Sequence, residues 1–223
     1  MRLALFDLDR TLLDVNSGRL WAVSQWREGR IGTTDLAWAG YWLVRYGLGF
    51  DGGLNQAMEA AARTVAGEEE RVLEARVRAW FAAEVRQRLR PGARAALDRH
   101  RERGDRLVLA TSGSIYAARA ASDAFGLDDQ IATTFEVREG RLTGRIDVLA
   151  IGHGKTEAVR AYAAREGHDL REASFYTDSA SDRTLLMEVG EPRVIDPDRA
   201  LARLARERGW QVEDWGVAGG APS

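Results

Sequence analysis

Two carboxylates follow a short apolar run at the start of the chain. The run from Leu3 to Phe6 is continuous, which is typical of a strand buried on both faces of a parallel sheet. Asp7 and Asp9 come directly after it, and side chains two positions apart on a strand point the same way. Two adjacent acids repel each other unless a cation or a shared proton offsets their charge. The pair therefore predicts a cation site, and Mg²⁺ is the expected ion because it prefers oxygen ligands and shares its shell with phosphate.

Hydroxyl side chains follow a second apolar run. Thr111, Ser112 and Gly113 come at the end of the run 106–111, just before a predicted helix. Hydroxyls and free backbone N–H groups at a helix start can hold the oxygens of a phosphate group. The same residues are also typical of an ordinary helix cap. For this segment taken alone, both interpretations stay open.

The single lysine is the third candidate. The 32 basic residues are 31 arginines and Lys155, which follows Gly152 and Gly154 at a predicted helix start. A lone lysine is commonly just solvated, but a compact ammonium also serves where the planar guanidinium of arginine does not fit. Because Lys155 lies at a helix start, where phosphate groups commonly bind, we expect its side chain to have a function in a phosphate site.

Two further acids follow a third apolar run, 173–177. Asp178 and Asp182 are four positions apart, so on a helical turn they lie on one face. Paired acids at the end of a strand suit a hydrated Mg²⁺. The alternative is a helix-capping aspartate next to an unrelated surface acid.

The elements that must position these residues alternate between strand and helix. Strands are predicted at 3–6, 106–111, 173–177 and 192–195, with a hairpin at 133–137 and 141–146. This order is typical of a doubly wound, Rossmann-like parallel α/β sheet. Ligands of such sheets bind beyond the carboxyl ends of the strands. The polar residues at three strand ends are therefore expected to meet in one crevice.

Residues 14–88 carry no strand signal. Helices are predicted at about 17–28, 33–47, 53–65 and 68–89, the first capped by Ser17 and the second passing through Trp38 and Trp42. We predict that residues 14–88 form an α-helical cap domain inserted after the first strand. The α/β core then comprises residues 1–13 and 89–215, and residues 216–223 form a flexible tail.

Composition narrows the class of protein. The chain has 223 residues, a net charge of −2 and no cysteine, so we expect no nucleic-acid partner and no thiolate metal site. The N-terminus does not resemble a signal peptide, and the apolar stretch 36–44 is shorter than the ~20 residues that span a bilayer. We expect a cytoplasmic monomer or homodimer without an integral membrane segment. His100 and His168 are expected to be exposed.

Taken together, the motifs resemble those of the haloacid dehalogenase (HAD) superfamily, which consists mostly of phosphatases. The DxDxT motif that starts at Asp7, the hydroxyls after the second strand, Lys155 and the DxxxD motif that starts at Asp178 stand in the family's order. The helical insertion after the first motif is similar to subfamily IB, the phosphoserine-phosphatase-like enzymes, in which it caps the site. The resemblance spans about residues 2–200 and implies a HAD-like core with a helical cap.

The resemblance also implies roles for the acids and the lysine. Asp7 would be the nucleophile that forms an aspartyl-phosphate, and Asp9 the general acid and then the base. Lys155 would neutralise charge between Asp7 and the phosphoryl group. Mg²⁺ would be bound by Asp7, the carbonyl of Asp9 and Asp178, with Asp182 in support.

The phosphate group would be held by the segment after the second strand. By the same resemblance, the Thr111 hydroxyl binds a phosphate oxygen with help from the backbone N–H groups of Leu8 and Gly113. Ser112 is adjacent to Thr111 and stays open as the alternative hydroxyl. The implied substrate is a small phosphorylated metabolite.

The implied reaction is Mg²⁺-dependent hydrolysis of a phosphate monoester, with phosphoserine-like compounds as one candidate class. Two alternatives stay open: a phosphotransferase that uses the same intermediate, and a non-catalytic phosphate-binding protein. Asp14, Asn16, Ser17 and Arg19 lie just after the first motif, within reach of a polar leaving group. The tryptophans of the insertion indicate core packing, with a dimer contact or a lipid-like substrate as alternatives.

Overall fold

The first apolar run forms the central strand of a seven-stranded sheet. The computed structural model describes residues 1–34, 37 and 53–218. Its strands are β1 (Leu3–Phe6), β2 (Arg106–Ser114), β3 (Asp129–Arg138), β4 (Arg141–Val148), β5 (Ser174–Thr177), β6 (Glu191–Ile195) and β7 (Gln211–Glu213). Their order is β4-β3-β2-β1-β5-β6-β7, and each neighbouring pair is parallel except β3 and β4. The predicted Rossmann-like α/β fold is confirmed.

Helices cover both faces of this sheet. In the described part of the chain the helices are α1 (Ser17–Arg27), α2 (Gly53–Thr64), α3 (Glu70–Trp80), α4 (Pro91–Glu102), α5 (Ile115–Phe125), α6 (His153–Glu166), α7 (Arg183–Leu186) and α8 (Arg199–Arg208). On β1, Ala4 and Phe6 belong to the apolar cluster shared with α3, α4 and α5. Leu3 and Leu5 belong to the cluster shared with α6, α7 and α8. Side chains alternate along a strand, so burial on both faces explains why every residue of β1 is apolar.

Several elements differ from the prediction at their ends. Strand β2 continues to Ser114, because an irregular register between Ala110 and Ser114 lets it keep pairing with β3. The helix predicted at 68–89 is an ordinary α-helix only to Trp80, after which a wider turn and a tighter turn follow. Strand β7 was not predicted, because three residues are too few to show a pattern of period two.

The chain leaves and rejoins the α/β region through two adjacent segments. Leu13 and Leu89 pair as an antiparallel bridge, and the N–H of Asp14 donates to the carbonyl oxygen of Arg88 (3.1 Å). Between these points, the described residues include α1, α2 and α3. The division into core and cap domains stays a prediction.

The predicted second helix of the insertion and part of the predicted tail cannot be compared with the structure. The predicted helix through Trp38 and Trp42 lies outside the described residues, and so do residues 219–223 of the predicted tail. Earlier in the tail, the N–H of Ala218 donates to Asp14 Oδ2 (3.0 Å). Among the residues that are described, no helix has the length and apolar character needed to cross a bilayer.

Candidate active site

An irregular turn after β1 carries the first two acids. The N–H of Asp7 donates to the carbonyl oxygen of Tyr176 on β5 (2.9 Å). The turn Leu8–Leu12 is interrupted by the extended backbone of Asp9 and by Arg10, whose φ of 60° is left-handed. Strand alternation was expected to orient both acids in the same way. That expectation does not apply, because β1 ends before Asp7.

The single lysine lies in the interior between two carboxylates. Lys155 is 1% exposed, and its Nζ donates to Asp7 Oδ1 over 3.0 Å. The same Nζ lies 2.9 and 3.0 Å from the two carboxylate oxygens of Asp182. The helix start beside it requires glycine, since a Cβ on Gly154 would lie 2.3 Å from the carbonyl oxygen of Leu149. The local backbone and two ion pairs therefore fix Lys155 beside the predicted nucleophile.

The second pair of acids follows β5, and each member has its own partners. Asp178 is buried, and its Oδ1 accepts a hydrogen bond from Thr11 Oγ1 (3.4 Å). Its carbonyl oxygen accepts from the N–H of Asp198 (3.0 Å). Asp182 accepts a short hydrogen bond from Thr177 Oγ1 (2.7 Å). Asp178 is thus attached to the turn after β1, whereas Asp182 holds the lysine ammonium.

Burial raises the pKa of three of these acids. Desolvation raises the pKa of Asp7 to about 7; Lys155 opposes this shift, and the charges of Asp182 and Asp9 add to it. Burial also raises the pKa of Asp9. It raises the pKa of Asp178 well above the usual range, and the charges of Asp7 and Asp182 contribute. Carboxylates crowded in this way favour a bound cation, because a cation offsets their mutual repulsion.

The available donors fit Mg²⁺ in particular. The predicted ligands are all oxygen atoms, from the carboxylates of Asp7 and Asp178 and the main-chain carbonyl of Asp9. Within the described part of the chain, no three His, Cys, Asp or Glu side chains form a metal-binding group by themselves. The predicted set contains two carboxylate side chains, and Mg²⁺ usually keeps several waters and takes one or two carboxylates.

The Asp9 carboxylate faces the first turn of α1. Its Oδ1 accepts from the N–H of Ser17 (2.7 Å), and its Oδ2 accepts from Asn16 Nδ2 (3.3 Å). Asn16 Oδ1 accepts in turn from the N–H of Arg19 (2.8 Å). The helix cap is therefore Asn16, and the prediction that Ser17 caps this helix is wrong. Two of the residues expected near a leaving group, Asn16 and Ser17, thus contact Asp9, and their reach to a leaving group stays a prediction.

The segment predicted to hold phosphate offers two different hydroxyls. Thr111 is buried, and its Oγ1 accepts from the N–H of Gly113 (3.1 Å). Ser112 is half-buried, and its carbonyl oxygen accepts from Thr133 Oγ1 (3.0 Å). The Leu8 side chain lies in the apolar core, so only its backbone can face a ligand. The hydroxyl of Thr111 is therefore the one that a neighbouring N–H orients.

The sequence analysis did not predict the buried polar contacts of His100 and Thr177. His100 was expected to be exposed, and this expectation is wrong: it is 3% exposed, with Nδ1 2.8 Å from Asp105 Oδ2 and Nε2 3.0 Å from the Tyr176 hydroxyl. Its position three residues after buried Leu97 on α4 was an available signal. Thr177, which holds Asp182, was also missed, and its place directly before a motif was the only signal.

The matched positions extend over most of the chain. A family model for haloacid dehalogenase-like hydrolases matches residues 4–187. The chain belongs to this family. The resemblance recognised in the motifs is thus confirmed, and the match extends from β1 to β5 of the sheet described above.

Individual relatives add detail to this assignment. The chain is 36% identical to a phosphoserine phosphatase of Mycobacterium tuberculosis over 128 residues, which are 57% of this chain and 42% of that protein. It is 28% identical to a histidinol-phosphatase of Neisseria meningitidis serogroup C over 219 residues, 94% of this chain and 97% of that protein. It is 33% identical to a protein with unknown function from Bordetella pertussis Tohama I, whose crystal structure matches with a TM-score of 0.85 over 96% of this chain and 99% of that one. The chain spans less than half the length of the first curated relatives it matches.

Proposed function

We propose that this protein is a Mg²⁺-dependent phosphatase that hydrolyses phosphate monoesters of small metabolites through an aspartyl-phosphate. The observation that carries the proposal is the buried ion pair between Lys155 and Asp7 (3.0 Å). A carboxylate is a weak nucleophile, and its attack on a phosphate group requires positive charge at the site. Among the relatives described above, the two with named activities are both phosphatases, which supports the same chemistry.

In the proposed reaction, a carboxylate oxygen of Asp7 attacks phosphorus and the bond to the leaving alcohol breaks. Asp9 gives its proton to the departing oxygen. Asp9 then takes a proton from a water molecule, which attacks phosphorus and displaces the Asp7 oxygen, so that inorganic phosphate is released. Lys155 offsets negative charge on the phosphoryl oxygens, and Asp182 keeps Lys155 in place. When bound by Asp7, Asp178 and the Asp9 carbonyl, Mg²⁺ supplies further charge stabilisation.

We assign the phosphate contact to Thr111 rather than to Ser112. The Thr111 hydroxyl oxygen already accepts the Gly113 N–H, so its proton is directed to another acceptor such as a phosphate oxygen. The backbone N–H groups of Leu8 and Gly113 would add donors. In this arrangement the Gly113 N–H would be shared between the hydroxyl and the phosphate.

The proposed substrates are phosphate esters of amino alcohols. Phosphoserine and histidinol phosphate are the compounds named in the two phosphatase relatives, and both are esters of a primary alcohol with a neighbouring amine. The match to the histidinol-phosphatase covers nearly all of both chains, which supports this class. In this proposal residues 14–88 form the cap that selects among such compounds.

Release of inorganic phosphate tests this function. The purified protein would be assayed with histidinol phosphate, phosphoserine, 4-nitrophenyl phosphate and detergent-solubilised phosphatidic acid, each with Mg²⁺ or with EDTA. We expect Mg²⁺-dependent turnover that is fastest with an amino-alcohol phosphate. Preference for phosphatidic acid would contradict the substrate class, and phosphate transfer to an added alcohol, detected by ³¹P NMR, would indicate a phosphotransferase. Phosphate binding without turnover of any of these compounds would contradict catalysis.

A further inference from the structure

One side-chain amide connects α1 to the Asp9 carboxylate. Asn16 Oδ1 accepts from the N–H of Arg19, and Asn16 Nδ2 donates to Asp9 Oδ2. The N–H of Ser17, the first residue of α1, donates to the other carboxylate oxygen. Both oxygens of Asp9 are thus held by the first turn of a single helix. The two bonds come from different groups, one from a side chain and one from the main chain.

We propose that Asn16 is a positioning residue for the proton transfers of Asp9. The backbone at Asp9 is extended within an irregular turn and is followed by the left-handed Arg10, so no regular element fixes the direction of the carboxylate. A group that gives or takes a proton must lie within hydrogen-bond reach of the reacting oxygen. Small errors in such placement are costly to the rate. The inference rests on the proposed function, because it assumes the acid–base role of Asp9.

The shared amide also links α1 to the chemistry. Because Asn16 caps the helix with one atom and holds Asp9 with another, a displacement of α1 also displaces the donors to Asp9. Helix α1 is the first element of the proposed cap. The orientation of Asp9 therefore depends on where the start of α1 lies.

A substitution can separate the two roles of this amide. In Asn16→Ser, the hydroxyl is still a good helix cap, but it is shorter and has no amide donor for Asp9. Asn16→Ala removes both. The readout is kcat/KM for an amino-alcohol phosphate relative to 4-nitrophenyl phosphate. The first leaving group needs a proton as it departs, whereas 4-nitrophenolate leaves without one. The ratio kcat/KM reports the steps up to departure of the leaving group and not the later hydrolysis, for which Asp9 is the base with both substrates. In this measure only the amino-alcohol phosphate depends on the placement of Asp9.

We expect Asn16→Ser to lower kcat/KM for the amino-alcohol phosphate about ten-fold or more, which is within the range that acid–base catalysis contributes. The kcat/KM for 4-nitrophenyl phosphate should stay within about two-fold of the wild-type value. Asp9→Asn is the benchmark only for the size of the loss with the amino-alcohol phosphate, since its missing base also slows turnover of the aryl phosphate. The thermal midpoint of Asn16→Ser should stay near that of the wild type. An equal loss with both substrates, or no loss with either, would overturn the inference. The proposed function is read separately, from the loss of both activities in Asp7→Asn.

Discussion

The ammonium of Lys155 lies as close to Asp182 as to Asp7. Its Nζ is 2.9 Å from Asp182 Oδ1 and 3.0 Å from Asp7 Oδ1. Asp182 is itself fixed by the hydroxyl of Thr177 (2.7 Å). When Asp7 carries a phosphoryl group in the proposed reaction, Lys155 keeps an anchor that does not react. This relationship explains why a residue distant in sequence from the nucleophile is buried so completely.

Replacing Lys155 tests this role. In Lys155→Arg the charge is kept, but a larger planar group must occupy a space in which the lysine is 1% exposed. We expect kcat to fall on the order of 10²-fold or more, the size typical for loss of one charge-stabilising contact. Lys155→Met should lower kcat at least as much, and should also lower the thermal midpoint, because breaking a buried ion pair leaves acids without a partner.

The matched control for Lys155→Arg is Arg203→Lys, at an exposed position on α8. Its kcat and thermal midpoint should equal those of the wild type, since exposed ion pairs contribute little. Wild-type activity in Lys155→Arg would show that a guanidinium serves equally well and would contradict the role assigned to the ammonium.

Asp178 tests the metal site through stability. Mg²⁺ that binds only the folded state raises the thermal midpoint, by an amount that grows with its concentration. Asp178→Asn removes a ligand, so we expect the Mg²⁺-dependent rise to be lost. Without metal, the variant should be more stable than the wild type, because a neutral amide replaces a buried acid whose pKa burial raises. Differential scanning fluorimetry with Mg²⁺ and with EDTA measures both effects.

Asp98→Asn is the control for that experiment, because Asp98 is exposed on α4. This variant should keep the full Mg²⁺-dependent rise. Persistence of the rise in Asp178→Asn would place the ion elsewhere.

The raised pKa of Asp7 predicts how Mg²⁺ affinity depends on pH. The ion needs the carboxylate, so protons compete with it below the folded-state pKa of about 7. In the metal-free protein, burial raises the pKa of Asp7 above its unfolded value, so the folded state favours the neutral carboxyl group. Its contribution to the free energy of unfolding is therefore present below the unfolded value of 3.8 and is lost as pH rises through about 7.

Isothermal titration with Mg²⁺ should thus give weaker binding at about pH 6 than at about pH 8. The stabilisation by Mg²⁺ should increase over the same range. A Mg²⁺ affinity that is independent of pH across this window would contradict a metal ligand with a raised pKa.

The two candidate hydroxyls are distinguished by substitutions of similar shape. Thr111→Val keeps the volume but removes the hydroxyl that accepts the Gly113 N–H, and we expect kcat/KM to fall on the order of 10²-fold. Ser112→Ala should change kcat/KM by less than about three-fold, since the charge-stabilising contact to phosphate is assigned to the Thr111 hydroxyl and not to that of Ser112. The reverse ranking in steady-state kinetics would assign the phosphate contact to Ser112.

Much of the fold was predictable because local patterns decide it. The apolar run of β1 and the Gly126 end of α5, in a left-handed conformation, are visible in the sequence. The change to a wider turn after Trp80 has no signal in the sequence. The strand β7 was not predictable, since three residues show no pattern and the strand is defined by its pairing with β6. The burial of His100 depends in the same way on Tyr176, whose hydroxyl comes from β5.

For the site, the rule that ligands bind at strand ends selected Asp7, Thr111 and Asp178. In the structure, Asp7 and Asp182 each contact Lys155. The sequence could not show which hydroxyl donates to which carboxylate. The bond from Thr11 to Asp178 joins residues 167 positions apart, and no spacing pattern encodes it.

Direct detection of phosphate on Asp7 tests the central claim. The protein would be mixed with substrate and Mg²⁺, quenched in acid within milliseconds, digested and analysed by mass spectrometry. The proposed mechanism predicts a phosphorylated peptide that contains Asp7, transient in the wild type, absent in Asp7→Asn, and longer-lived in Asp9→Asn because the base for hydrolysis is missing. Turnover of substrate with no phosphorylated peptide at any time, or with turnover retained in Asp7→Asn, would contradict the mechanism.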